Sequence, residues 1–204
     1  MNLPNQLTVA RFFFTLLFVT ALTFAWPFAH TAALFLFVIA SITDYLDGEI
    51  ARRRNLVTDF GRLMDPLVDK IMIAAAFICL VSTHIDDPEH ARGAFPAWVA
   101  IVIISREFLI TGVRLLAASK GVVLPAEQMG KHKTIWQIVT VLYFLSLLAL
   151  WEMGRAGWLS IGAWWAPAWR IGGPVLIAVA TFLTVYSGLG YLWKNRELIF
   201  RAPI

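Results

Sequence analysis

Residues 29–69 read AHTAALFLFVIASITDYLDGEIARRRNLVTDFGRLMDPLVD. The segment begins as an apolar run, Ala29–Leu46, with Asp44 and Asp47 at its end. It crosses a basic stretch holding Arg52, Arg53 and Arg54, then enters a second apolar run, Leu63–Thr83, with Asp65 and Asp69 near its start. A membrane-crossing helix needs about 20 mostly apolar residues. Backbone groups in lipid must be bonded within the segment, so runs of this length read as helices. Two such runs joined by a short charged connection read as an antiparallel helical pair. Asp44 and Asp47, three apart, share a face of the first helix; Asp65 and Asp69, four apart, share a face of the second. The four carboxylates are thereby expected at one membrane depth.

Four more runs extend the pattern: Leu7–Trp26, Ala97–Ala118, Thr134–Trp151 and Ile171–Trp193. Apolar residues make up 59% of the 204 and charged residues 15%, a balance that excludes an ordinary soluble domain. Mean hydropathy is +0.72. The expected fold is all-α: an integral membrane bundle of six transmembrane helices in a single domain, 1–204, with the active site at the cytoplasmic side. No internal repeat or long linker interrupts it. Met1 to Thr8 is polar and lacks the basic cluster of a cleavable signal peptide. The single cysteine, Cys79, sits inside an apolar run and reads as a small core or lipid-facing residue.

Lys and Arg set the orientation. Arg11, Arg52, Arg53, Arg54, Arg62, Lys70, Arg106, Arg114, Lys120, Lys131, Lys133, Lys194, Arg196 and Arg201 fall on one side, and Arg92, Arg155 and Arg170 on the other. This bias puts both termini, and the connections after the second and fourth helices, in the cytoplasm. The formal charge of +4 fits anionic headgroups and topology, with no nucleic-acid partner expected. Trp98, Trp158, Trp164, Trp165 and Trp169 cluster on the opposite side and read as an interfacial belt.

Close carboxylates repel one another unless a cation compensates them. Charge at membrane depth is costly and marks function. Oxygen-only ligands suit hard cations such as Mg²⁺ or Mn²⁺. Two such ions about 3.5–4 Å apart would clamp a phosphoryl group during in-line displacement. Arg52, Arg53, Arg54 and Arg62 beside them fit an anionic, phosphate-bearing substrate, although Arg53, Arg54 and Lys120 read better as topology charges. Gly48 and Gly61 remove side chains where a ligand would approach the backbone. Glu49 falls outside the spaced set and reads as a solvated neighbour. His30, His84 and His90 are dispersed and form no ligand set, and His132 reads as solvent-facing.

The spacing from Asp44 to Asp69 resembles the signature of the CDP-alcohol phosphotransferase family, D-x2-D-G-x2-A-R-x8-G-x3-D-x3-D, with every fixed position matched. The resemblance implies that Asp44, Asp47, Asp65 and Asp69 hold two divalent cations, and that Asp69 is also the general base for the attacking hydroxyl. It implies that Gly48, Arg52 and Gly61 hold the CDP moiety, with Thr58 in the connection. Asn5 and Thr8, in the stretch leading into the first helix, are similar to residues that reach the nucleotide; Thr8 reads equally as a helix N-cap. The resemblance also implies CDP-diacylglycerol as donor and the bilayer as setting, and a homodimer is expected with it.

The acceptor must be read outside the signature. Arg106 and Arg114 are eight apart, about two helical turns, and share a face. Lys131 and Lys133 open the next helix, which places four cations on two helices expected to be neighbours. An acceptor with its own phosphate would use such a pocket. The alternative is snorkelling or topology for Lys131 and Lys133, and an internal ion pair of Arg106 with Glu107 or a signature aspartate. Ser105-Arg106-Glu107 with Arg114, and Gly130-Lys131-His132-Lys133-Thr134 through Gln137, resemble the phosphatidylglycerolphosphate synthase subfamily. That likeness implies glycerol 3-phosphate as acceptor and the cytoplasmic membrane as location. Inositol phosphate, serine or phosphatidylglycerol are the alternative acceptors. A divalent-cation transporter would leave the arginines unexplained.

Overall fold

The computed structural model describes residues 3–24, 26–54, 59–83, 94–119, 121–122, 124 and 128–196; at 3–4, 45–54, 59–63, 65–66, 128–129 and 131 the description is of the backbone alone. The helices are α1 (Leu3–Thr23), α2 (Ala29–Arg54), α3 (Asp59–Ser82), α4 (Ala97–Ser119) and α5 (Gln128–Arg155). A short α6 (Trp165–Pro167) and a π-helical turn (Ala168–Gly172) then lead without a break into α7 (Gly173–Lys194). The π-helical turn lies between Pro167 and Pro174, each of which withholds an N–H from the helical ladder. Among the described residues all regular structure is helical.

Each expected run is a helix, but the helices overrun the apolar runs on the charged side. α2 continues past Leu46 to Arg54, α3 starts at Asp59 and α5 at Gln128. Hydropathy ends where charge begins, whereas helical hydrogen bonding continues through it. Asn5–Thr23, His132–Arg155 and Trp165–Lys194 are long and apolar enough to cross a membrane. The apolar part of α2, Ala29–Asp44, is shorter. α2, α3 and α4 are the helices that carry Asp44, Asp69 and Arg106, so charge at the candidate site accounts for their weaker apolar signal.

α1 packs along both α2 and α3, α2 along α5, and α7 along α4 and α5. Between them lies a core of Phe18, Phe37, Phe77, Phe95, Phe144 and Leu148, with Cys79 buried at its edge. Trp98, Trp158 and Trp164 are exposed, as a belt requires. Trp165 and Trp169 are not part of it. Four residues apart in one helical run, both turn inward and are 2% and 9% exposed. Trp165 stacks on Trp151 at 4.7 Å and on Trp169 at 5.4 Å, and its indole N–H donates to the Leu147 carbonyl at 3.0 Å. Truncating a buried Trp costs about 3–5 kcal/mol. Trp165→Ala is therefore expected to lower the unfolding temperature of the detergent-solubilised protein by several degrees, while Trp158→Ala leaves it unchanged.

At the end of the bundle away from the signature aspartates, Glu152 on α5 closes the start of α2. Its carboxylate accepts the Thr31 N–H at 2.9 Å, the Thr31 hydroxyl at 2.8 Å and the His30 N–H at 3.3 Å. A carboxylate there satisfies N–H groups that have no intrahelical partner and meets the positive end of the helix dipole.

Candidate active site

A cavity of about 630 Å³ opens between the site ends of the helices. Asp44 enters it from α2, Lys70 from α3, Arg106, Glu107, Thr111 and Arg114 from α4, Gly130, Lys133 and Thr134 from α5, and Ser187 and Tyr191 from α7. Its lining thus sets four cations against two carboxylates, an excess suited to an anionic ligand.

The cations are held in place by the wall itself. Arg106 donates from Nη2 to the Ser187 hydroxyl at 3.0 Å and lies 3.4 Å from Glu107 through Nη1. Gly188 gives Arg106 room, since a Cβ there would stand 2.9 Å from Arg106 Cγ. Lys133, 5% exposed, pairs with the Glu107 carboxylate. Lys70 bonds the Thr111 hydroxyl, which itself donates to the Glu107 carbonyl at 2.7 Å. Arg114 donates from Nε to the Tyr191 hydroxyl at 3.3 Å and lies 5.4 Å from that ring's centre. Gln137 donates to Thr184 at 3.0 Å, one turn deeper between α5 and α7.

The expectation that α4 and α5 are neighbours needs correcting. Among the described residues α4 packs chiefly along α7 and α5 along both α7 and α2, and the Glu107–Lys133 pair bridges α4 and α5 across the cavity. The ion pair between Arg106 and Glu107 is present, but it is one part of a wall that also holds Lys133.

Of the signature aspartates, Asp44 and Asp69 have described side chains. Asp44 is 43% exposed and pairs with Arg11 Nη1 at 2.5 Å. Asp69 is half-buried, with Asp44, Arg11, Lys133 and Lys70 as its charged neighbours. Two carboxylates close enough to repel, offering oxygen donors only, suit a hard divalent cation, so the residues present fit the implied metal. Asp47, Gly48 and Arg52 continue α2 beyond Asp44, and Gly61 and Asp65 precede Asp69 on α3, by backbone alone. Lys131 lies in the first turn of α5 in the same way. Thr58 and Lys120 lie outside the described residues.

Asn5 and Thr8 lie within α1, which starts at Leu3. Thr8 is therefore no N-cap. It is buried at an apolar groove of about 270 Å³ that it shares with Val9, Phe12, Met64, Leu67, Val68 and Ile71. Arg11, Lys70, Thr111, Ser187 and Tyr191 carried no site signal in the sequence. Arg11 and Lys70 read there as topology charges, and lone hydroxyls in apolar runs have no spacing to reveal them.

The family model described as CDP-alcohol phosphatidyltransferase matches residues 1–185. A Bacillus subtilis protein named CDP-diacylglycerol--glycerol-3-phosphate 3-phosphatidyltransferase is 39% identical, over 97% of this chain and 97% of its own length. A Rickettsia felis protein of the same name is 35% identical, over 93% of each. Similarity at this level over nearly whole chains joins the signature spacing to the site built around it: the chain belongs to the CDP-alcohol phosphatidyltransferase family.

Proposed function

We propose that the chain transfers the phosphatidyl group of CDP-diacylglycerol to glycerol 3-phosphate, giving phosphatidylglycerol phosphate and CMP. It would do so as a homodimer of six-span bundles in the cytoplasmic membrane, with both termini and the site on the cytoplasmic side. The observation that carries the reading is the cavity in which Asp44 lines one wall and Lys70, Arg106, Arg114 and Lys133 line the others. An acceptor with a phosphate and a hydroxyl matches such a site: cations for one end, carboxylates for the other. The names of the Bacillus subtilis and Rickettsia felis relatives support the same donor and acceptor.

In this reading Asp44, Asp47, Asp65 and Asp69 hold two divalent cations, Mg²⁺ or Mn²⁺. When bound, such cations supply charge neutralisation at the donor's pyrophosphate. Asn5, Thr8, Gly48, Arg52, Thr58 and Gly61 hold the CDP moiety, Thr8 by shaping α1 against α3. Arg106, Arg114, Lys131 and Lys133 seat the acceptor's phosphate. Asp69 takes the proton of the acceptor's 1-hydroxyl as that oxygen attacks the lipid-side phosphorus. The bond from this phosphorus to the CMP oxygen breaks, and CMP leaves. Beyond that proton transfer, the chain contributes position and fixed charge.

Purified protein with CDP-diacylglycerol and Mg²⁺ is expected to release CMP when glycerol 3-phosphate is added. Inositol phosphate, serine and phosphatidylglycerol should give at most background release. Release with one of these instead would keep the aspartate chemistry and reject the acceptor; release with none, from folded protein, would reject the enzyme.

A further inference from the structure

Arg11 is a full positive charge with 1% of its side chain exposed, on the helix that packs against both aspartate-bearing helices. Its guanidinium lies 2.5 Å from Asp44 and is among the charged neighbours of Asp69. Arginine does not give up its proton in proteins, so this charge is permanent. A charge so deeply buried persists only where opposite charge meets it. It is also out of reach of a substrate in the cavity, which Asp44 lines and Arg11 does not. Whatever Arg11 does for the site, it does through the aspartates.

We propose that Arg11 is a built-in counter-charge for the aspartate set, acting through Asp44 to hold the set's affinity for divalent cations down. A cation held by Asp44 shares its carboxylate with the guanidinium and is repelled by it. Binding is then weaker than the carboxylates alone would give, and the site keeps a net positive increment towards an anionic donor. The proposal rests on Asp44 being a cation ligand, as in the function proposed above. It differs from simple orientation of Asp44 by Arg11, since loss of an orienting partner would weaken cation binding.

The test is binding of Mn²⁺ alone, without substrate, to the full-length protein in detergent. Removing one unit charge at this range is expected to make Arg11→Met bind Mn²⁺ roughly tenfold more tightly than wild type. Arg11→Lys, which keeps the charge, should stay within about twofold of wild type. In EDTA, Arg11→Met should unfold at lower temperature than wild type, and saturating Mn²⁺ should close the gap. Equal or weaker Mn²⁺ binding by Arg11→Met overturns the proposal while leaving the transferase reading intact. No Mn²⁺ binding by wild type overturns the cation reading and the proposal together. Should Arg11→Met fail to fold, the double variant Arg11→Met/Asp44→Asn is expected to fold, because it removes the uncompensated carboxylate as well. Failure of the double variant also overturns the proposal.

Discussion

Replacing Asp69 by Asn is expected to lower turnover by about 10²–10⁴-fold, the range a positioned general base contributes. Asn keeps the size of the side chain but cannot accept the hydroxyl's proton. Asp69 stands at the seam of the site, with Asp44 and Arg11 among its charged neighbours and Lys70 and Lys133 of the cavity wall among the others. The next residue, Lys70, ties that turn of α3 to α4 through Thr111. In the proposed function, an acceptor whose phosphate sits in the cavity would present its hydroxyl towards Asp69, which adjoins the cavity residue Lys70 in α3. CMP release and binding of CDP-diacylglycerol should separate in this variant, the first collapsing and the second staying within a few-fold. A variant that turns over normally would remove Asp69 from the proton transfer.

The second large effect is expected at Lys133. Its ammonium is buried in the wall and paired with Glu107. A hydrogen bond to a charged group contributes about 1.5–3 kcal/mol, so Lys133→Gln should raise KM for glycerol 3-phosphate by roughly 10–100-fold. KM for CDP-diacylglycerol should hardly change. The variant also strands Glu107, and breaking a buried pair destabilises by about 3–5 kcal/mol. Lys133→Gln/Glu107→Gln separates the two consequences: stability should return towards wild type while KM for the acceptor stays high. Return of KM as well would mean that Lys133 supports the wall and does not bind the acceptor.

The helices were legible because apolar length in lipid leaves the backbone one solution. Their ends on the charged side were not, since α2 reaches Arg54 and α5 begins at Gln128 through residues that hydropathy reads as loop. Asp44 and Asp69 were legible from fixed spacing, and the structure brings them together. Arg106, Arg114 and Lys133 were legible as a cluster and do line one cavity. Arg11 was not, because one arginine near a helix start has the same appearance whether it faces headgroups or carboxylates. Trp165 and Trp169 were misplaced because aromatic rings beside a loop suit either an interface or a core. Only the rotational setting of the helix decides between the two, and here it turns both rings onto Trp151 and the core. Ser187, Gly188 and Tyr191 depend on how α7 lies against α4, a long-range fact with no local trace.

The Glu152 contact with the first turn of α2 turns that helix into a ruler. Its zero mark is pinned by hydrogen bonds at His30 and Thr31, and Asp44 is read off thirteen residues further on, about 20 Å along the axis at 1.5 Å per residue. Inserting or deleting one residue between these marks would swing Asp44 by about 100° around the helix and away from Arg11, whatever residue was gained or lost. The number of residues between the two marks is therefore held as firmly as the buried side chains among them, Ala33, Phe37 and Ala40, while the lipid- or solvent-facing positions in the same span, such as Phe35 and Ile39, have more latitude.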